Sequence, residues 1–463
     1  MSLRFTLFSI SLVLLFPLQI HSQELTLQEY LLWVLKDHPM AQNAELNVQR
    51  GDAQFLQAKG VFDPVIVSKW KEKFYQGKDY YNTAENAIVY QSPFALSMVG
   101  QLDLNNGDYL NPEAYTGKDG LMTLGFQLPI LQGLVIDEKR LAVRRAEQIQ
   151  AMAILEKQMA LNELLFQSTM LYVDWAIAEK RKVIAQDLAN TAKDRYQATK
   201  QRFLGGDRPA MDTLEARAQW QSREIFLQEA ALQVVKSRLA LVAFVEERNE
   251  RKNILSLSIL PQGNTLDVLP LYKPSGMLEF GLANHPELSW YSSKITLLNW
   301  EEKWKREKLK PKLNVQYNLL SKGISDGSDV SFSTQNYRWG LEMAFPIFLR
   351  DARGDLQLQK LKIQEAENDQ EWKRSQLRQK AMSLEQQEMI VRDQFVLYSQ
   401  NVNLYQRLLE AEQIKFQAGE SAVFMVNQRE NAWLENQLKA LEYERKWMET
   451  RIQMSQLLFM PYF

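Results

Sequence analysis

The sequence predicts a mainly α-helical chain with a small β part, built by duplicating one unit. Three observations carry this. First, markers recur in order along the two halves. Asp37-His38-Pro39 returns as Asn284-His285-Pro286 and Pro64 returns as Pro311, at one constant offset. Leu128-Pro129-Ile130 returns as Phe345-Pro346-Ile347, and Arg202-Phe203-Leu204-Gly205-Gly206 as Lys415-Phe416-Gln417-Ala418-Gly419. Trp220 and Trp433 lie equally far beyond that last motif. Second, residues 137–204 and 351–415 contain no proline and, apart from Gly354 in the first turn, no glycine. Third, short runs of strict alternation stand just before each long stretch. A repeat this long is a duplicated domain; solenoid units run about 20–50 residues.

The chain opens on Arg4, an apolar run from Phe5 to Ile20 interrupted by Pro17, and Ser22-Gln23. That is the pattern of a cleaved signal peptide over 1–22, and the run falls short of the roughly 20 apolar residues a spanning helix needs. The protein is therefore expected to be exported. Cysteine is absent, which excludes disulfide staples, thiolate metal sites and a cysteine nucleophile. The 55 basic and 56 acidic residues are interspersed and give no nucleic-acid footprint. Of the three histidines, His21 falls in the signal. His38 and His285 sit at equivalent positions before a proline, where a helix ends or bends, so they read as junction residues rather than metal ligands or bases.

After Pro39, the positions Ala44, Val48, Gly51, Phe55 and Ala58 form one helical stripe; after Pro286, Leu288, Tyr291, Ile295 and Leu298 do the same. Pro64 and Pro311 stop these helices. Strands follow. Leu313, Val315, Tyr317 and Leu319 alternate with Lys312, Asn314, Gln316 and Asn318, predicting a strand at about 312–320. Tyr337, Trp339, Leu341, Met343 and Phe345 alternate with Arg338, Gly340, Glu342 and Ala344, predicting another at about 337–346. In the first repeat, Met122, Leu124, Phe126 and Leu128 predict a strand at 121–129, and a blurred pattern with Lys69, Lys71 and Lys73 predicts one at 65–75. The long segment between them is turn-rich at Asn105-Asn106-Gly107 and Lys118-Asp119-Gly120 and reads as a surface loop.

Each long helix, at 1.5 Å per residue, would run roughly 100 Å. Val391, Phe395, Tyr398, Val402, Tyr405, Leu409, Glu412 and Phe416 step alternately by four and three. Leu161, Leu164, Ser168, Leu171, Trp175 and Ala178 do likewise, an average near 3.5 that means helices supercoiled side by side. A glycine turn ends each long helix, and return helices follow at about 210–247 and 421–459. The short helix before the strands stacks end to end with the return helix to complete a second rod. The expected organisation is thus a first repeat over 23–247, a proline-bearing linker over 248–276 and a second repeat over 277–463.

With these motifs in order and in duplicate, the chain resembles the TolC-type outer-membrane efflux protein family (outer membrane factors) over essentially its whole exported length. The resemblance implies a homotrimer in the outer membrane. Four strands per chain would complete a 12-stranded β-barrel, and twelve rods an α-helical tunnel through the periplasm. Trp339, Leu341, Met343 and Phe345 would face lipid. The turns at Arg202, Gly205, Gly206 and Asp207 and at Lys415, Gly419 and Glu420 fit the family's helix tips, which receive a periplasmic adaptor (membrane-fusion) protein linked to an inner-membrane pump. The family commonly rings its closed aperture with an acidic pair after the second-repeat turn, where this chain has Met425 and Gln428. Asp212 and Glu215 hold that spacing after Gly206 instead, with Arg208 between, and share one helix face. They are either aperture residues or helix-start acids that complement the dipole.

The function so implied is a passive exit duct for efflux or type I secretion, with no catalytic residue, cofactor or metal site. No phosphate-cradling loop, metal triad or nucleophile motif is present. A periplasmic coiled-coil structural protein is the alternative, opposed by the aromatic alternation at 337–345. An enzyme built on paired carboxylates is a distant third, because the acids lie on solvated helix faces. The cargo, pump and adaptor are not written in the sequence.

Overall fold

The computed structural model describes residues 24–117, 119–245, 260–261, 281–322 and 330–460. The signal segment and nearly all of the 248–276 linker lie outside these residues. Seven helices and six sheet strands are used below: α1 (Leu27–Asp37), α2 (Pro39–Lys59), β1 (Val65–Tyr75), β2 (Lys78–Gln91), β3 (Ser97–Asn106), β4 (Leu121–Pro129), α3 (Glu138–Leu204), α4 (Ala210–Val242), α5 (Pro286–Glu307), β5 (Lys312–Lys322), β6 (Tyr337–Ala344), α6 (Arg350–Gln417) and α7 (Val423–Leu458).

The two histidines are helix caps. His38 Nδ1 accepts the Met40 amide (3.1 Å) and His285 Nδ1 the Glu287 amide (3.2 Å), each with proline as the first helical residue. This satisfies an amide that a helix start leaves orphaned. Each imidazole also lies 5.0 Å from an aromatic ring at the end of a return helix, Phe244 for His38 and Phe459 for His285. The junction is therefore the same in both repeats.

α3 and α6 are single helices of 67 and 68 residues. Along α3, α2 covers the upper part, with Asn47 Nδ2 on Glu156 Oε2 (2.8 Å), and α4 the lower part, with Tyr196 stacked on Trp220. Along α6, α5 covers the upper part (Lys373–Glu287, 2.6 Å) and α7 the lower, where Phe395 meets Trp447 and Tyr398 stacks on Tyr443. The α5/α7 rod also touches α3 through Arg145–Glu301 and Arg445–Asp174 (2.6 Å). Four rods thus form a curved wall in the order α2/α4, α3, α5/α7, α6.

The core sits where short and return helices meet end to end. One cluster joins Leu27, Tyr30, Leu31 and Val34 of α1 to Leu164, Tyr172 and Trp175 of α3 and to Met448 and Ile452 of α7. Its counterpart in the second repeat joins Leu288, Leu377, Ala381, Leu384 and Leu457.

The sheet corrects one expectation. Among the described residues it has six strands, not four, all antiparallel and ordered β1-β2-β3-β4-β5-β6. The segment read as a loop between 75 and 120 contains the β2–β3 hairpin. Gln76 and Gly77, both at positive φ, make the tight turn into β2 (φ 52° and 75°), as a two-residue hairpin requires. β2 escapes a reading for period two because tyrosines and alanines fall on both its faces and Asn82 and Asn86 lie on the otherwise apolar one. β3 does alternate, Met98, Leu102 and Leu104 against Gln101 and Asp103, but Gly100 interrupts it.

Candidate channel wall and helical tips

The register sorts the sheet into two faces. On one, Trp339 stands opposite Tyr317, Leu341 opposite Val315 and Met343 opposite Leu313. Tyr317 is in turn opposite Phe126, and Leu319 opposite Leu124. The face continues through Met98 and Leu102 to Ile88 and Ile66. Trp339, Leu341 and Met343 are about two-thirds exposed. Phe345 is also exposed but lies just past the end of β6, in the junction with α6. Ser68 and Asn86 interrupt the apolar face and satisfy each other: Ser68 Oγ donates to Asn86 Oδ1 (2.6 Å) and receives Trp70 Nε1 (2.7 Å). Internal satisfaction is what a hydrocarbon surrounding demands. The opposite face carries Lys69 beside Glu85, Gln101 bonded to Asp103 (2.7 Å), Gln127 beside Gln316, and Glu342, with Val67, Val89 and Val99 among them. Among the described residues, no helix is long and apolar enough to cross a membrane.

At the other end of the rods are two matching turns. Asp207 N donates to Arg202 O (2.9 Å) and Gly206 N to Phe203 O (3.0 Å). Glu420 N donates to Lys415 O (2.9 Å) and Gly419 N to Phe416 O (3.2 Å). Gly206 and Gly419 stand at φ 79° and 81°, the left-handed position that ends a helix most easily with glycine. Arg202, Gly205, Gly206, Asp207, Lys415, Gly419 and Glu420 are all exposed. Arg208 joins the two turns: its guanidinium lies over the Phe416 ring (4.8 Å) and pairs with Asp212 (3.7 Å). Glu215 receives Asn427 Nδ2 (3.5 Å). Asp212 and Glu215 are thus half-buried with partners in their own chain, while Gln428 is exposed and Met425 half-buried.

Sequence reasoning missed the strongest electrostatic feature near the tips. Glu430, only 1% exposed, takes Arg195 on one carboxylate oxygen (2.5 Å) and Arg223 on the other (3.1 Å). Arg195 also bonds Asn427 (3.0 Å), and Gln219 reaches Asn431 (3.2 Å). The network ties α3, α4 and α7 together. Nothing local signals it, because its three charged members lie on three helices.

The outermost rods leave apolar stripes uncovered. On α6, Ile390, Leu397 and Leu404 recur every seven residues, and on α4, Ile225, Leu232 and Leu239 do the same; all six are exposed. A heptad stripe is the seam of a supercoiled helix pair.

Residues 282–458 match the outer membrane efflux protein family. The match falls within the second repeat, and the chain is similar to that family there. No match was found among curated protein sequences. Among solved structures, the chain is similar to the VceC outer membrane protein of Vibrio cholerae (TM-score 0.68, 15% identity, 94% of this chain and 97% of that one). It is also similar to the CmeC outer membrane channel of Campylobacter jejuni (0.65, 15%, 93% and 85%). A third is the open state of the MtrE outer membrane channel of Neisseria gonorrhoeae (0.68, 14%, 94% and 89%). At such identities the shared property is the fold. The matched family is described as outer membrane efflux proteins, and these three structures are an outer membrane protein and two outer membrane channels.

Proposed function

We propose that this chain is the passive exit duct of a tripartite efflux or type I secretion system, a homotrimer whose tips dock a periplasmic adaptor protein and an inner-membrane pump. The observation that carries the reading is one chain with a two-faced sheet at one end and two exposed glycine turns at the other, joined by roughly 100 Å of unbroken helix. The heptad stripes on α4 and α6 support the trimer, since the two outer edges of a curved wall bury them against each other when copies close a ring. The polar sheet face then lines the lumen, and Trp339, Leu341, Met343 and Phe345 meet lipid.

Purified protein in planar bilayers tests the duct. Stable conducting channels from trimers support it; trimer-free protein that stays in the soluble periplasmic fraction supports the coiled-coil structural role instead.

Asp212 and Glu215 fit an aperture ring if the tips converge on the threefold axis. Asp212→Asn with Glu215→Gln then lowers cation preference in single-channel recordings. Unchanged selectivity in assembled channels would return both acids to the Arg208 and Asn427 contacts already described, leaving Met425 and Gln428 as the next residues to test.

A further inference from the structure

We propose that three copies of this chain close an 18-stranded barrel, each giving all six strands to the wall, with β1 of one copy pairing along β6 of the next. This rests on the trimeric duct reading and adds the width and seam of its membrane part.

Three observations carry it. The β2–β3 hairpin is continuous with the wall. β1 pairs with β2 over its whole length, from Val65–Val89 to Tyr75–Lys78, β3 pairs with β2 from Asn82–Asn106 to Gln91–Ser97, and β3 pairs with β4 from Ser97–Gln127 to Asp103–Leu121. Its turn, closed by Ser92 N on Leu96 O (2.9 Å), lies beside Pro129 and Asp137, at the level where strands pass into helices. The 14 residues of β2 and the 10 of β3 span about 45 and 33 Å at 3.3 Å each, enough to cross a roughly 25 Å apolar band while tilted.

The two faces also persist across the hairpin. Ile88, Met98 and Leu102 extend the apolar face, while Glu85, Gln101 and Asp103 extend the polar one. A hairpin lying outside the membrane has no need of that continuity.

Finally, the circumferences agree. Twelve helical rods about 8–10 Å apart make a ring about 100–120 Å around. Eighteen strands about 4.8 Å apart, tilted about 40°, make about 110 Å; twelve strands make only about 75 Å. The wider barrel meets the helical ring without a constriction. Its free edges, β1 and β6, are exposed along their length in the single chain, and an open edge is a template for another strand. On the lumen face, β1 presents Lys69, Lys71 and Lys73 and β6 presents Arg338 and Glu342, so Glu342 supplies an opposite charge for the seam.

The chain contains no cysteine, so introduced thiols report cleanly. Full-length protein in outer membranes carries Lys71→Cys on β1 with one thiol scanned over Arg338, Gly340 and Glu342 on β6. A second series pairs Gln101→Cys on β3 with the same β6 positions. Oxidation is expected to yield covalent trimers in the β1 series and none in the β3 series. Linkage from β3 instead would place β6 of the next copy against β3, exclude β1 and β2 from the wall, and overturn the proposal while leaving the duct intact. Absence of trimers in native gels would overturn the duct reading and the barrel together. Cryo-electron microscopy of the unmodified trimer gives a second readout: a barrel about 36 Å across is expected, and one about 24 Å across overturns it.

Discussion

The two repeats keep their helices nearly identical and let their strands diverge. α3 and α6 differ by one residue in length, and their end turns share the same hydrogen bonds. Between the short helix and the long one, however, the first repeat has four strands and the second has two. A long helix touches neighbours along its whole length, so a single inserted residue rotates every later side chain off its seam. A strand in a growing sheet touches only the strands beside it. The comparison teaches that length is fixed where packing is continuous and free where it is local.

The largest effect should expose a difference between the repeats at matching helix positions. Glu430 lies as far past Gly419 as Arg217 lies past Gly206, yet Glu430 is buried with two arginines and Arg217 is exposed. Glu430→Leu leaves both guanidiniums unpaired and should cost about 3–5 kcal/mol. Arg217→Leu should stay within about 0.5 kcal/mol. Urea denaturation of detergent-solubilised protein measures both, and equal losses would mean that the two tips are energetically equivalent after all.

Next comes the wall. Leu341→Arg should cost about 2–4 kcal/mol per subunit near the bilayer midplane, and Glu342→Arg far less. Ile88→Arg against Glu85→Arg puts the same question to the first-repeat hairpin. Matching contrasts in membrane insertion would show both repeats exposing one face to lipid; a contrast confined to β6 would limit lipid contact to the second repeat.

The turns should behave alike. A Cβ at Gly206 or Gly419 meets no neighbour within 4 Å, so the main cost of valine there is that of a β-branched residue at positive φ, about 1–3 kcal/mol. If the tips receive an adaptor, each variant should keep trimers in the membrane yet lose export. Normal adaptor crosslinking and export in both would remove the turns from docking.

The smallest effect concerns the caps. Burial holds the His285 imidazole below its ordinary pKa, against the opposing pull of Glu287. Its unfolded form therefore takes up a proton first, so the stability it contributes is complete above about pH 6.5 and declines as the pH falls below that. His285→Asn, which retains a capping side chain, should flatten thermal stability between pH 5 and 7 by under about 1 kcal/mol. An unchanged slope would assign that pH dependence elsewhere.

Much of this molecule is legible in its sequence, for reasons that differ by element. Gly206 and Gly419 announce their turns because few residues tolerate positive φ. Ordered duplication marks out the helices, and the Leu313–Leu319 and Tyr337–Phe345 alternations mark two strands. β2 is illegible because its tyrosines and alanines fall on both faces, while Asn82 and Asn86 break the apolar one. The Glu430 network is illegible for another reason: Arg195 and Arg223 find it only after three helices have been brought together. Arg208 is visible in its place after the first turn, but Phe416, the ring it covers, belongs to the other repeat.

The turn at Ser92–Leu96 has a consequence for how such a wall can change over evolutionary time. In the proposed barrel, a single added strand would deliver the chain to the wrong side of the membrane and leave α3 outside the periplasm. Only whole hairpins preserve the sidedness of everything downstream. Barrel width in this architecture is therefore quantised: it can step up or down by one hairpin in every copy, and no intermediate size is open to it.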